Sequence, residues 1–164
     1  MSGIRILNRA SDSQPHFSGK HSRSSIVEID FWMPSQIQAF SRVVDRLMRL
    51  IQGSQCVPGD EFDVELVLRE ALENAVVHCS KKDPCEKVRV RCRCGPANEI
   101  SIVVTDQGRG FAFGKRLWVT ASHRTLLHEH VRGIQLMKAF MDDVHFERGG
   151  SEVQMHKRAR NTAH

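Results

Sequence analysis

Between Asp60 and Asp106 the hydrophobic pattern changes period once, from helical spacing to strict alternation, and that change limits the chain to a helix delivered onto an antiparallel hairpin. Asp60 to Cys79 reads as a helix, capped by Asp60 and carrying Glu61, Asp63 and Glu65 at its positive end. Lys87 to Cys94 alternates, Gly95, Pro96, Ala97 and Asn98 turn the chain, and Glu99 to Asp106 returns as the partner strand. Upstream, Ile26 to Met33 alternates as a strand ended by Pro34 and Ser35, and Gln36 to Gln52 is a helix closed by Gly53. Downstream, residues 111–131 show no clean period and read as a lid. A helix over Arg132 to Met141 follows, then strands Val144 to Arg148 and Ser151 to Lys157 joined at Gly149 and Gly150. The expected fold is α+β: a two-layer α/β sandwich with a mixed, mostly antiparallel sheet and helices on one face.

Two short segments carry chemistry. Glu70 and Asn74 stand four residues apart in the second helix, so they share a face one turn apart and pair a carboxylate base with a neutral oxygen ligand. Asp106 closes the apolar run Ile100 to Val104, and Gly108 and Gly110 follow at a spacing that lets backbone approach a ligand closely. A carboxylate in that place accepts from an exocyclic amine. Either segment alone also suits a ligand-free α+β domain, where Asp and Gly are ordinary turn residues. Together, with the flanking elements in order, they read as a nucleotide site.

The pair of boxes resembles those of the Bergerat-type (GHKL) ATPases, the superfamily of gyrase, MutL and the histidine kinases. Leu68 to His78 (LREALENAVVH), Asp83-Pro84 before a strand, and Arg132 to Val144 (RGIQLMKAFMDDV) look most like the bacterial anti-sigma-factor serine/threonine kinases. The likeness covers residues 25–157. It implies ATP and Mg²⁺ as cofactors, with Asp106 on the adenine amino group, Gly108 and Gly110 beside the purine, Asn74 on Mg²⁺ and Glu70 as general base. By the same resemblance Ser151 lies near the base, and Arg132 and Gly133 lie at the phosphates. Relatives carry a glycine cluster before the third helix. Here the chain reads Glu129, His130, Val131, Arg132, Gly133, and a β-branched Val131 resists positive φ. Arg132 is expected to pair with the γ-phosphate in compensation, while His128 and His130 read as solvated lid residues.

The resemblance further implies a sigma factor and an anti-anti-sigma (STAS-type) protein as partners, a homodimer, and a bacterial cytoplasmic setting. A sensor histidine kinase would need a phosphoacceptor hairpin, and a gyrase or MutL protomer a transducer domain. The alternatives are a nucleotide-dependent binding module without phosphoryl transfer, and a DNA-associated protein using basic tails.

Charge placement bears on the last of these. The 164 residues carry a net charge of +5. Residues 1–24 hold four basic and one acidic side chain, and residues 155–164 three basic and none acidic, so the remainder is near neutral. We therefore expect a flexible basic N-terminal tail over 1–24, the ATP-binding domain over 25–157, a basic C-terminal tail over 158–164, and no nucleic acid as main partner. Five cysteines at 56, 79, 85, 92 and 94 form no paired framework by spacing and suggest a reducing compartment. A zinc set of Cys79, Cys85, Cys92 and Cys94 is disfavoured, because Cys92 and Cys94 fall in phase with Val88 and Val90 on one strand face. The opposite face carries Lys87, Arg89, Arg91 and Arg93 about 6.6 Å apart, a stripe suited to an acidic partner or to neutralisation by Glu28 and Asp30.

Overall fold

The computed structural model describes residues 5–6, 27–35, 37–79, 87–95, 97–107 and 121–160. Six strands and three helices make up this part of the chain: β1 (Arg5–Ile6), β2 (Val27–Pro34), α1 (Ile37–Ser54), α2 (Glu61–Cys79), β3 (Lys87–Gly95), β4 (Glu99–Thr105), α3 (Ala121–Phe140), β5 (Asp143–Glu147) and β6 (Glu152–Arg158). The strands form one sheet in the order β1-β2-β3-β4-β6-β5. All its pairings are antiparallel, so the sheet is not mixed. β4 and β5, on either side of β6 and both antiparallel to it, run parallel to each other, with α3 between them in the chain. The two-layer α+β sandwich stands as expected.

Period 2 places Ile29, Phe31 and Met33 of β2, Val88, Val90 and Cys92 of β3, Ile100, Ile102 and Val104 of β4, and Val153 and Met155 of β6 on one buried face. Against it pack Val44, Leu47, Met48 and Ile51 of α1, Val64 to Val76 of α2, and Met137 of α3. Side chains of this size contribute roughly 1.5–3 kcal/mol each when fully buried, so this single core dominates stability. α1 has one apolar stripe and a polar back. α2 buries Val64, Val67, Leu68, Ala71, Leu72, Ala75 and Val76 because it lies between α1 and α3 as well as on the sheet.

The opposite sheet face is polar. Asp30 accepts from Arg89 Nε and Nη2 at 2.9 and 2.6 Å, and Arg89 lies 5.6 Å from the Trp32 ring centroid. That hydrogen bonding, chiefly, holds the Asp30 carboxyl below the usual carboxylate range. One cation of the expected stripe, Arg89, is thus neutralised from β2.

Several expectations are corrected. The lid expected over 111–131 is helical from Ala121 onward, so α3 begins eleven residues before Arg132. Gly53 does not end α1, which runs to Ser54, and Gln55 takes the left-handed turn at φ 54°. Within the expected N-terminal tail, Arg5 and Ile6 pair with Asp30 and Ile29. Cys56 and Cys94, 38 residues apart, meet as a disulfide pair with Cα atoms 5.5 Å apart, a contact between the α1–α2 turn and the end of β3 that spacing cannot reveal. Cys92 stays buried beside it, its thiol pushed up to about 12 by burial.

The basic C-terminus is corrected too. Lys157 is 2% exposed and pairs with Asp60 and Asp63, while Arg160 reaches the same two carboxylates. Ala159 N donates to Asn98 O, and Arg160 N donates to Asp60 Oδ2 at 2.9 Å. Residues 158–160 therefore dock on the domain. Asp60 does sit at the N-cap position of α2, its carbonyl accepting from Val64 N, but its carboxylate serves these cations.

Candidate nucleotide site

Asn74, Asp106 and Ser151 line one recess, partly open to solvent. Ala71, Asn74 and Ala75 come from α2, Val104 and Asp106 from the end of β4, Met137 from α3, Phe146 from β5, and Gly150, Ser151 and Val153 from the start of β6. The recess is narrow as it stands. Its walls are mostly apolar, with a carboxylate at one end, an amide on α2 and a hydroxyl-bearing turn.

The β4–β6 end that holds Asp106 is tightly built. Asp106 N donates to Ser151 O at 2.8 Å, and one residue earlier Thr105 Oγ1 donates to Glu152 Oε2 at 3.0 Å. Glu152 also accepts from Gln154 Nε2 at 2.8 Å. Burial would raise the Glu152 carboxyl, but the bonds from Gln154 and Thr105, with the charges of Arg148 and Arg91, outweigh it and hold the group low. The turn before Ser151 runs through positive φ at Arg148, Gly149 and Gly150 (53°, 67° and 96°), which explains the glycine pair. Ser151 Oγ donates to Arg148 O at 3.1 Å and closes that turn.

Asn74 also belongs to a second cluster at the mouth. Gly133 is buried where α3 crosses α2: a Cβ there would stand 2.8 Å from Glu70 Oε2 and 3.2 Å from Asn74 Nδ2. The glycine that the resemblance placed at the phosphates is helical here and serves close approach of two helices. The expected conflict at Val131 also disappears, because Val131 lies in the same helix, exposed, with no positive φ. Glu70 is pushed up from the usual glutamate range by burial first and by Glu73 second, with Arg132 pulling it back. A half-buried carboxylate beside an arginine is a base that keeps some affinity for a proton.

The sequence-predicted residues thus fall into two touching groups: Asn74, Asp106 and Ser151 around the recess, and Glu70, Asn74, Arg132 and Gly133 at its α2–α3 edge. Gly108, Gly110 and the side chains of His128 and His130 lie outside the described residues. Sequence reasoning missed Thr105 and Glu152, which anchor the strand end, and Met137, which lines the recess. The alternation of β4 and β6 carried a signal for the first two, since both fall on the polar face.

Residues 33–157 match the family model of the histidine kinase-like ATPase domain. The chain belongs to this family. It is a histidine kinase-like, ATP-binding domain of the Bergerat type, and no curated protein matches it beyond that family likeness. The lining chemistry suits such a ligand: Val104, Met137 and Val153 would offer apolar contact to a base, and Asp106 a carboxylate for an exocyclic amine. The described residues include no cluster of three or more His, Cys, Asp or Glu able to hold a metal. A Mg²⁺ carried by a nucleotide needs only one protein oxygen, and the Asn74 side chain offers one. Among the described residues no helix is long and apolar enough to cross a membrane.

Proposed function

We propose that this domain is an anti-sigma-type serine/threonine kinase: it holds a sigma factor inactive and releases it on engaging and phosphorylating a STAS-type anti-anti-sigma protein. The observation that carries this reading is the Glu70–Asn74 pair on one face of α2, against Gly133 and within the field of Arg132. In this reading Asn74 holds Mg²⁺ on the phosphates, Arg132 faces the γ-phosphate, and Glu70 orients the acceptor hydroxyl and takes its proton. Mg²⁺ supplies charge neutralisation when bound, and the protein supplies position, the larger part of phosphoryl-transfer catalysis.

A second reading, a nucleotide-dependent binding module without transfer, is favoured by one observation. Val131, Arg132 and Gly133 lie inside a helix, where backbone N–H groups are already used within the helix and make no phosphate cradle.

Incubation with ATP, Mg²⁺ and a co-encoded STAS protein, followed by mass spectrometry for phosphoserine, separates the two. Phosphoserine with wild type and a loss of about a hundredfold in rate with Glu70→Gln is the expected kinase result. Partner binding without phosphoserine in either protein leaves the binding module. Asn74→Ala tests the metal: ATP affinity should drop sharply in Mg²⁺ and little in EDTA, whereas equal loss in both would remove Asn74 from the metal.

A further inference from the structure

Lys157 is a buried cation that neither the recess nor the proposed chemistry uses. It occupies the inward phase of β6 after Val153 and Met155, where an apolar residue would be ordinary, and it is 2% exposed. Its ammonium donates to Phe140 O at 2.7 Å and to Asp63 Oδ2 at 3.2 Å, and lies 3.5 Å from Asp60 Oδ1. One side chain therefore joins the first turn of α2, the last carbonyl of α3 and the sheet. The negative end of α3 and the two carboxylates at the start of α2 all face it, so its charge is well matched.

The register of this clamp relates it to the site. Asp63 precedes Glu70 by seven residues on α2, and Gly133 precedes Phe140 by seven on α3. Seven residues are two turns, about 10 Å along a helix and within about 20° of the same face. The clamp and the Glu70–Asn74–Gly133 contact thus lie on the same faces of one helix pair, two turns apart. At that contact a displacement of tenths of an ångström matters, because α3 approaches Glu70 and Asn74 as closely as a missing Cβ allows. A buried ion pair is seldom better for stability than apolar side chains of equal volume. Its directional bonds from β6 to α2 and α3 do what an apolar side chain cannot, which is to fix their spacing.

We infer that Lys157 is a positioning residue for the nucleotide site: by bonding Asp63 and the Phe140 carbonyl it sets the α2–α3 spacing at which Glu70 and Asn74 meet the phosphates. The inference rests on the ATP reading of the recess. It separates the ligand into two parts, a base held by β4 and β6 and a triphosphate held by the α2–α3 edge, and assigns the clamp to the second alone.

The test is calorimetry on the full chain with ATP·Mg²⁺ and with adenosine, which lacks phosphates. Lys157→Met should weaken ATP·Mg²⁺ by about tenfold or more while adenosine stays within about twofold. Val90→Ala, a cavity in the core far from the clamp, controls for plain destabilisation and should leave the ratio of the two affinities at the wild-type value. If Lys157→Met lowers both affinities alike, or neither, the positioning role is overturned. Should that variant not fold, Asp63→Asn decides, since it removes one partner and keeps the lysine: a shifted ratio supports the clamp and an unshifted one overturns it. Wild-type protein that binds neither ligand would overturn the nucleotide reading itself, and the clamp with it.

Discussion

At Gly133 the requirement for glycine comes from its neighbours. An added methyl would meet the far end of the Glu70 side chain and the Asn74 amide, both able to rotate aside, while a helix-interior glycine is about 1 kcal/mol less stable than alanine. Gly133→Ala should therefore leave the melting temperature equal or slightly higher, yet cut ATP·Mg²⁺ affinity or phosphoryl transfer by ten- to about a hundredfold through displaced Glu70 and Asn74. A variant as active as wild type would mean that neither side chain needs its present place. The two glutamates of the site differ in sign. Glu70 is raised mainly by burial, so its protonated form suits the folded state and its ionised form opposes folding at neutral pH. Glu152 is lowered, so its ionised form stabilises, and that contribution is lost as pH falls through its folded pKa. In thermal melts Glu70→Gln should stabilise at pH 7 and Glu152→Gln should destabilise. The first difference should shrink as pH falls through the raised pKa toward the ordinary glutamate range near about 4, and the second only at still lower pH. Shifts of the same sign at pH 7 would contradict these assignments.

At the scale of elements, legibility followed burial. β2, β3, β4, α1 and α2 each have one face on the core, and alternation or a helical stripe marked them to within a residue or two. The first half of α3 was not legible, because Ala121 to Val131 spaces its apolar residues on no regular stripe, so helix there has no signature of period. Contacts between distant elements were also invisible. Cys56 meets Cys94, and Lys157 meets Asp63 across 94 residues, through packing that no local pattern encodes. The site residues Asn74, Asp106 and Ser151 were legible as chemistry, and the structure adds that they line one recess. The helical state of Val131 yields a prediction of its own. Phosphate donors at Arg132 and Gly133 become free only if the helix opens just before them. Glycine at the exposed position 131 eases that opening by a few tenths of a kcal/mol relative to valine, so Val131→Gly should tighten ATP·Mg²⁺ binding about twofold with adenosine unchanged. Weaker ATP binding would show that the helix persists in the bound state.

For the molecule as a whole, the location of charge decides what it attracts. Lys157 and Arg160 are committed to Asp60 and Asp63, and Arg158 lies 3.6 Å from Glu99, so the C-terminal cations are largely neutralised on the domain. Arg89 is similarly engaged by Asp30. Residues 1–24 remain an uncompensated block in the sequence, with four basic side chains against one acidic, as do residues 107–128, with four basic and none acidic. The family match begins at residue 33, and the core begins at Ile29. Of the first 24 residues only the two-residue β1 is described, on an edge of the sheet, where it protects two residues of β2. A chain lacking residues 1–24 should therefore fold, bind ATP within about twofold of the full chain, and melt within a few degrees of it. It should also elute from a heparin column at clearly lower salt, since polyanion affinity scales with the number of cations that displace counterions. An unchanged elution point would place the polyanion-binding surface outside residues 1–24. Loss of ATP binding on truncation would instead make the N-terminal segment part of the nucleotide site, and the domain boundary would then have to be drawn upstream of β2.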